Sequence, residues 1–299
     1  MRIVIAGASG FLGTHLSTAL SGRGHEVVKL VRRETTASGE STWDPYSDQI
    51  DDTVIAGADV VVNLAGAPTV GNPHSKKWAS ALLESRVTTT RVLAEHIARA
   101  ATPPAYVAGN GISFYGDHGP QVVTEQSDSR GEALLTRVAR EWQDAAQAAV
   151  AAGARVCVVR TAPVMDRRSA PLKQLTLLSK LGLGTRLGSG SQYFPMVSLR
   201  DWVGGVIHLV EHDSAAGPFN LCCPQTPTNR EFTDTLARQV GRRAFLAAPA
   251  IVIEKAAGDM APEVLGSVRA EPAALLATGY TFRDEDVSEV LRAGLASLT

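Results

Sequence analysis

The sequence predicts an α/β fold with a doubly wound parallel sheet, and three observations lead to this prediction. Short runs of Val, Ile and other apolar residues recur along the chain without alternating polar positions, which is typical of strands buried on both faces. Long Ala-rich segments separate these runs, as crossover helices do in a parallel sheet. The chain has 299 residues, 44% of them apolar, so it can bury a large core.

The predicted strands and helices alternate along the chain. Residues 2–6 form an apolar run that predicts the first strand, and Leu12, Leu16 and Leu20 lie at the spacing of a helix after it. Gly22 and Gly24 indicate the end of that helix. Further strands are predicted at 26–31, 59–65, 105–108, 155–160 and 219–221, and further helices within 79–100, 132–152 and 202–212.

Two parts of unequal size are expected. Residues 1–165, together with 202–222 returning to the sheet, are predicted to form the larger, sheet-containing domain. Residues 166–201 and 223–299 are richer in loops, Gly and Pro. They are predicted to form a smaller, mixed lobe that binds substrate over the carboxyl edge of the sheet, where open α/β sheets bind their ligands.

Charge and cysteine content argue against several classes of function. The 29 Lys and Arg residues nearly balance the 30 Asp and Glu residues, so a net charge of −1 provides no basic surface for nucleic acid or an anionic membrane. No stretch is long enough to span a bilayer. The cysteines, Cys157, Cys222 and Cys223, have no CxxC or Cys/His spacing that would hold zinc. We therefore expect a cytoplasmic protein with no metal site and no nucleic-acid or membrane partner.

A glycine pattern lies between the first strand and the first helix. Gly7 allows a tight turn, Gly10 lets the backbone approach a pyrophosphate, and Gly13 lets the helix lie close to the strand. The free N–H groups of the helix start favour an anion. A chance glycine-rich turn is the alternative, but the flanking strand and helix favour a Rossmann-type dinucleotide site. Its predicted residues are Gly7, Ser9, Gly10, Phe11, Leu12 and Gly13.

The end of the second predicted strand indicates which dinucleotide binds. An acidic residue there would bind the ribose 2′-hydroxyl of NAD, but this chain has Arg32 and Arg33. A guanidinium matches a 2′-phosphate in charge and in hydrogen-bonding geometry, so NADP(H) is the predicted cofactor. The alternative is that both arginines only face solvent at the strand end.

Further motifs give the chain a resemblance to a known family. They are Asn63-Leu64-Ala65-Gly66, Ser113-Phe114-Tyr115-Gly116-Asp117, the run from Arg186 to Gln192 (RLGSGSQ) and Gly217-Pro218-Phe219-Asn220. Together with the GxxGxxG spacing, they resemble the extended and atypical short-chain dehydrogenase/reductase superfamily. More narrowly, the chain resembles epimerase-family proteins of the NAD-dependent epimerase/dehydratase superfamily that carry a DUF1731-like C-terminal region. The resemblance runs nearly from end to end.

The resemblance implies further cofactor contacts. Arg32 matches the position of the 2′-phosphate contact. Leu64, Ala65 and Gly66 match the strand end beneath the adenosine half of the cofactor. Arg86 matches a cofactor-side arginine, for which a salt bridge on a helix surface is the alternative, and Val164 matches the position beside the nicotinamide.

The catalytic pair usual in this superfamily, a Tyr with a Lys four residues later, is missing. The residues four positions after the five tyrosines are Ile50, Asn110, Gly119, Val197 and Asp284. Tyr115 is the best-placed phenol for proton donation, with Ser113 and Asn110 as hydrogen-bonding groups on the same loop. The alternative is that Tyr115 only stabilises its own loop.

The sequence leaves two classes of function open. One is an NADP(H)-dependent oxidoreductase or epimerase acting on a small polar substrate that contacts Arg186, Gln192 and Tyr193, although these residues could instead hold a Gly-rich loop by ordinary salt bridges. The other is a non-catalytic NADP(H)-binding sensor or protein-interaction module. The Ala-rich helices at 79–100 and 132–152 match the pair that forms dimers in the superfamily, so a homodimer is predicted; packing against the sheet is the alternative.

Overall fold

A computed structural model describes residues 1–69 and 71–296 of the chain. The strands are β1 (Arg2–Ala6), β2 (Glu26–Val31), β3 (Glu40–Asp44), β4 (Gln49–Ile50), β5 (Val60–Asn63), β6 (Ala105–Gly111), β7 (Val122–Val123), β8 (Val156–Thr161), β9 (Val164–Met165), β10 (Thr185–Leu187), β11 (Val197–Ser198), β12 (Gly217–Leu221), β13 (Leu246–Ala248) and β14 (Arg269–Ala270). The helices are α1 (Phe11–Gly22), α2 (Asp52–Ala56), α3 (Lys76–Arg99), α4 (Leu134–Asp144), α5 (Gln147–Ala151), α6 (Ala170–Lys180), α7 (Leu199–Glu211), α8 (Asn229–Gln239), α9 (Ala250–Ala257), α10 (Ala261–Leu265), α11 (Ala273–Ala277) and α12 (Val287–Ala296).

Eight strands form one sheet in the order β12-β8-β6-β5-β1-β2-β3-β4. Every neighbouring pair is parallel except β3 and β4, which are antiparallel at the edge. The order reverses direction beside β1, because the chain first adds strands on one side of β1 and then on the other. The predicted fold class, a doubly wound Rossmann-type sheet, is confirmed.

The two faces of the sheet are buried by different helices. In β1, Ile3 and Ile5 face the core shared with α1 and α7, while Val4 and Ala6 face the core shared with α3 and α5. Side chains of a strand alternate between faces, so both faces must be apolar. Fully burying each large aliphatic side chain contributes roughly 1.5 to 3 kcal/mol to folding. This explains why the central strands lack alternating polar positions.

The segments predicted to form the smaller lobe share a second apolar cluster. Leu172, Phe232, Leu236, Val290 and Leu291 bring α6, α8 and α12 together. The helix α8 begins with a capping box, in which Thr228 and Glu231 satisfy each other's backbone N–H groups. The parallel pair of β10 and β13 completes this lobe. Residues 297–299, which the sequence analysis assigned to it, lie outside the described residues.

The tail of the chain is attached to the larger part through a buried carboxylate. Asp201 accepts hydrogen bonds from the backbone N–H groups of Arg283 (2.9 Å) and Asp284 (2.9 Å), and the hydroxyl of Tyr280 donates to it at 3.1 Å. The cap of α7 comes from the side chain of Ser198, which accepts a hydrogen bond from the backbone N–H of Asp201.

None of the helices within 1–69 and 71–296 has both the length and the apolar character needed to cross a membrane. Over the same residues, no group of three or more His, Cys, Asp or Glu side chains is arranged to hold a metal ion.

Candidate functional site

The turn between β1 and α1 requires glycine at two of its positions. Gly7 has a φ of +80°, and a Cβ there would lie 2.6 Å from the backbone carbonyl of Leu64. A Cβ on Gly13 would lie 2.2 Å from the carbonyl oxygen of Gly7. Both distances are shorter than any tolerable contact, so the turn, α1 and the end of β5 can approach one another only without these side chains.

The start of α1 is left open to an anion. No side chain caps the helix at Gly10, and its first turn contains no acidic residue. Unpaired N–H groups and the helix dipole therefore both favour a negatively charged ligand at this point.

A groove of about 1080 Å³ runs along this turn. The predicted cofactor residues on its wall are Gly7, Ser9, Gly10, Arg32, Arg33, Leu64, Ala65 and Gly66. The other predicted cofactor residues, Phe11, Leu12, Gly13, Arg86 and Val164, are not on its wall. The structure thus brings together the first glycines, the end of β2 and the end of β5.

The two arginines after β2 have different surroundings. Arg33 forms an ion pair with Glu40 at 2.7 Å. The hydroxyl of Thr35 also donates to Glu40, and this bond together with Arg33 holds the pKa of the Glu40 carboxyl below its usual value. Arg32 is exposed and forms no ion pair or hydrogen bond within the described part of the chain. Of the two, Arg32 has the guanidinium that is available to a 2′-phosphate.

Several groove residues were not anticipated from the sequence, and the aromatic ones lie in one segment. Trp43, Pro45 and Tyr46 form the wall beside β2. They lie on or after β3, a strand whose sequence ESTWD is mostly polar. Because β3 is near the sheet edge and only Trp43 in it is buried, it lacks the apolar run that indicated the other strands.

Arg86 is a buried guanidinium next to the groove. It is 9% exposed, and its Nη1 donates to the carbonyl of Leu82 at 3.1 Å. Its guanidinium lies 5.1 Å from the ring centre of Trp142, and a Cβ on Gly66 would lie 3.3 Å from its Cγ. Burial lowers the pKa of Arg86 to about 10. Among the described residues it pairs with no carboxylate, which differs from the surface salt bridge considered as the alternative.

Phe11, Leu12 and Val164 are mainly packing residues. Phe11 and Leu12 lie against the apolar cluster on one face of the sheet, and Phe11 also stacks on His15 with ring centres 4.8 Å apart. Val164 is 8% exposed and belongs to the same cluster.

Tyr115 and Asn110 are buried and hydrogen-bonded inside the protein. The hydroxyl of Tyr115, which is 0% exposed, donates to Asn220 at 2.7 Å and accepts from Arg160 at 2.9 Å. Burial raises the pKa of Tyr115 to about 12, although Arg160 acts in the opposite direction. The amide of Asn110 donates to the carbonyl of Ala139 at 3.0 Å. This geometry favours the alternative considered from the sequence, a tyrosine that stabilises its own loop.

Ser113, unlike Tyr115, faces a cavity between the two lobes. This interlobe cavity, of about 640 Å³, is also lined by Gln192 and Tyr193. Arg186 is not on its wall; its neighbours in β10, Thr185 and Leu187, are. Side chains alternate along a strand, so Arg186 lies on the opposite face of β10. Most of the wall is apolar, which differs from the small polar substrate expected from the sequence.

The comparisons with known proteins agree with this geometry. The model of the "NAD dependent epimerase/dehydratase family" matches residues 3–222, and a domain of unknown function, DUF1731, matches residues 248–293. The epimerase family protein ML0860 of Mycobacterium leprae is 34% identical over 294 residues, which cover 97% of this chain and 94% of that protein.

Two solved structures are similar over the described fold. The crystal structure of human epimerase family protein SDR39U1 with NADPH has a TM-score of 0.87 at 30% identity, covering 100% of both chains. The nucleoside-diphosphate sugar epimerase from Corynebacterium glutamicum has a TM-score of 0.81 at 30% identity, covering 99% of this chain and 58% of that one. The chain therefore belongs to the NAD dependent epimerase/dehydratase family, as its motifs indicated.

Proposed function

We propose that this protein binds NADP(H) and acts as an oxidoreductase or epimerase on a small molecule held in the interlobe cavity. The observation that carries the proposal is the groove in which a glycine turn at the start of α1 and the unpaired Arg32 lie together. The structure of the human relative with NADPH supports the same cofactor.

The residues present fit this cofactor at three places. The glycine turn leaves space that a Cβ would fill, and the uncapped start of α1 suits a pyrophosphate. Arg32 suits the 2′-phosphate. Arg86, a buried cation without a carboxylate among the described residues, suits a further anionic or polar group of the cofactor. When bound, NADP(H) supplies or accepts a hydride.

The topology supports a substrate next to the cofactor groove. The groove lies at the carboxyl ends of β1, β2 and β5, which precede Gly7, Arg32 and Leu64. The interlobe cavity lies at the carboxyl ends of β6 and β8, which precede Ser113 and Pro163. In the sheet β6 and β8 come next after β5, so a dinucleotide extending from Arg32 past β5 is directed toward the cavity.

Fluorescence titration of the protein with NADPH and with NADH tests the cofactor. A charge-assisted contact to phosphate contributes about 1.5 to 3 kcal/mol, so we expect NADPH to bind roughly 10- to 100-fold more tightly. Equal affinities, or no binding of either cofactor, would contradict the proposal.

A second candidate function is cofactor binding without catalysis, as in a sensor or interaction module. The internal hydrogen bonds of Tyr115 and Asn110 favour it, because neither group is presented to the cavity. Tight NADPH binding, together with no NADPH oxidation across carbonyl compounds of different size and polarity, would support this candidate over an enzyme.

A further inference from the structure

The interlobe cavity has a mainly apolar wall. Its largest apolar side chains include Leu135, Leu175, Leu187, Phe194, Phe232 and Leu236. The wall continues to the surface through Leu178 and Leu183, which are 43% and 49% exposed. A ligand that fills this space therefore gains from burying apolar surface, and one end of it can extend toward solvent.

The charged residues of the cavity wall disfavour an anionic ligand. Among the described residues these are the acidic Asp117, Glu132 and Glu263 and the basic Arg130. The guanidinium of Arg130 is already bonded to Asp128 at 3.0 Å and to Gln121 at 3.1 Å. Glu132 in turn pairs with Arg140 at 3.0 Å. Among the described residues, the wall therefore has no basic side chain without a partner to compensate a diphosphate, whereas an uncharged ligand needs none.

Glu263 is the carboxyl group that the fold holds at a fixed place in this wall. The backbone N–H groups of Leu135 and Thr136, at the start of α4, donate to its Oε1 at 2.9 and 3.2 Å. The helix α4 has no side-chain cap of its own, so Glu263 provides one from the C-terminal lobe. Both bonds end on Oε1, so they orient the carboxyl group while Oε2 takes part in neither.

Glu263 takes up a proton more readily here than a carboxyl group in water does. Burial raises the pKa of Glu263, and the two backbone N–H groups and the hydroxyl of Ser113 oppose that rise only in part. A carboxyl with a raised pKa keeps its proton closer to neutral pH, as a general acid requires. The other charged groups on the elements around Glu263 are Asp117, Arg130 and Glu132 on the cavity wall, Arg137, Arg140, Glu141 and Asp144 on α4, and the exposed Glu254, Lys255 and Asp259 before α10.

We infer that the interlobe cavity binds an uncharged, largely apolar ketone or aldehyde, or the corresponding alcohol, and that Glu263 is the catalytic residue that exchanges a proton with its oxygen. This inference rests on the proposed function, because the hydride comes from the reduced dinucleotide. In the reduction, the carbonyl carbon gains that hydride and the π electron pair of the C=O bond moves to oxygen. The O–H bond of the Glu263 carboxyl breaks and the proton bonds to that oxygen. The products are the alcohol, the oxidised dinucleotide and the Glu263 carboxylate.

The carboxylate that remains is stabilised where it is. It accepts the two N–H groups of Leu135 and Thr136 and lies at the positive end of the α4 dipole. Ser113 lies on the same wall and adds its hydroxyl. This arrangement provides what the chain lacks in a Tyr and Lys pair, which is a proton donor whose deprotonated form is stabilised by its neighbours.

The test compares apolar carbonyl compounds with charged sugar nucleotides. Protein saturated with NADPH is titrated calorimetrically with 2-decanone, 4-phenyl-2-butanone and UDP-glucose, and NADPH oxidation is followed with each compound. We expect both ketones to bind and be reduced and UDP-glucose to do neither. For Glu263→Gln, we expect kcat to fall about 10²- to 10⁴-fold with little change in KM. Glu254→Gln, the same substitution on the exposed face of α9, should leave both parameters unchanged.

The pH profile separates a proton donor from a structural cap. For ketone reduction by the unmutated protein, kcat should fall as pH rises through the pKa of Glu263, and Glu263→Gln should lose that limb. Ser113→Ala, which leaves the cap of α4 in place, should shift the limb to higher pH because it removes a group that lowers the pKa. Urea unfolding and NADPH titration of each variant show that it is folded.

Any other result would contradict the substrate class, the role of Glu263 or the proposed function. Binding of UDP-glucose in place of the ketones would overturn the substrate class, and so would NADPH binding with neither ketone bound; in both cases the proposed cofactor would stand. Ketone reduction that Glu263→Gln leaves unchanged in rate and pH profile would overturn the role of Glu263. Absence of NADPH binding would overturn the proposed function itself.

Discussion

The hydroxyl of Tyr115 donates a hydrogen bond to Asn220 across 2.7 Å, which connects the loop after β6 to the edge strand β12. The two residues are 105 positions apart in the sequence. Arg160, at the end of β8, donates to the same hydroxyl at 2.9 Å and lies 3.6 Å from the ring centre of Phe114. All three side chains are buried, so the Tyr115 hydroxyl depends on Asn220 and Arg160, while Asn220 also donates to the carbonyl of Glu271 and Arg160 to Gln143.

Replacing Tyr115 with Phe should lower stability more than it affects ligand binding. The substitution removes the donor to Asn220 Oδ1 and the acceptor of Arg160 Nη1, both buried, so we expect the free energy of unfolding to fall by about 1 to 3 kcal/mol. NADPH affinity should stay the same, because Tyr115 is not on the groove wall. Urea unfolding and fluorescence titration measure the two quantities. Tyr46→Phe, at an exposed tyrosine, is the control for stability. Turnover lost without loss of stability would instead place the phenol in the reaction.

The parts of the site that could be predicted from the sequence depend on local backbone geometry. Gly7 and Gly13 are needed because neighbouring backbone leaves no room for a Cβ, and the spacing of the turn shows this directly. Arg32 follows from its position after an apolar strand. In both cases the residues proposed to bind the cofactor lie within a few positions of the element that places them.

The parts that could not be predicted depend on contacts between distant segments. Glu263 caps α4 from 128 residues away, and nothing in the local sequence near Glu263 indicates that partner. Tyr115 follows the strand end where ligands usually bind, but its burial depends on Asn220 in the last strand of the sheet. Trp43 was missed because its strand is polar and close to the sheet edge.

Removing the Arg32 side chain should weaken binding of NADPH but not of NADH. Arg32→Ala removes the unpaired guanidinium, so we expect the Kd for NADPH to rise roughly 10- to 100-fold. Arg33→Ala should have a smaller effect, because Arg33 is already paired with Glu40. Fluorescence titration of both variants with both cofactors measures the difference. A larger loss of NADPH affinity with Arg33→Ala than with Arg32→Ala would show that Arg33 leaves Glu40 and contacts the cofactor when NADPH binds.

Two Gly→Ala substitutions in α1 should have opposite effects. A Cβ on Gly13 would lie 2.2 Å from the carbonyl oxygen of Gly7. Gly13→Ala should therefore lower the free energy of unfolding by more than about 1 kcal/mol and displace the turn that binds NADPH. A Cβ on Gly22 would meet nothing within 4 Å. Gly22→Ala should raise that free energy by about 0.4 to 1 kcal/mol with NADPH affinity unchanged. Similar NADPH affinities of both variants would contradict the proposal that the turn at Gly7 binds the cofactor.

His208 should make stability depend on pH below neutrality. Its ring is hydrogen-bonded to the hydroxyl of Thr278 at 2.9 Å and lies 5.2 Å from the ring of His212. Burial, and then the charge of His212, lowers the pKa of His208 below its usual value, while Glu211 acts in the opposite direction. In the unfolded chain His208 regains a pKa of about 6.5, so near and below that pH the unfolded state binds more protons than the folded state.

It follows that the free energy of unfolding decreases as pH falls from about 7 through the lowered pKa of His208. His208→Gln keeps a polar side chain beside Thr278 but cannot titrate. Relative to this variant, the unmutated protein should therefore lose stability as the pH falls, while titrating groups that do not interact with His208 affect both proteins alike. Urea unfolding at intervals between about pH 5 and about pH 8 measures the difference. If the free energies of unfolding of the two proteins changed in parallel with pH over that range, folding would not change the proton affinity of His208.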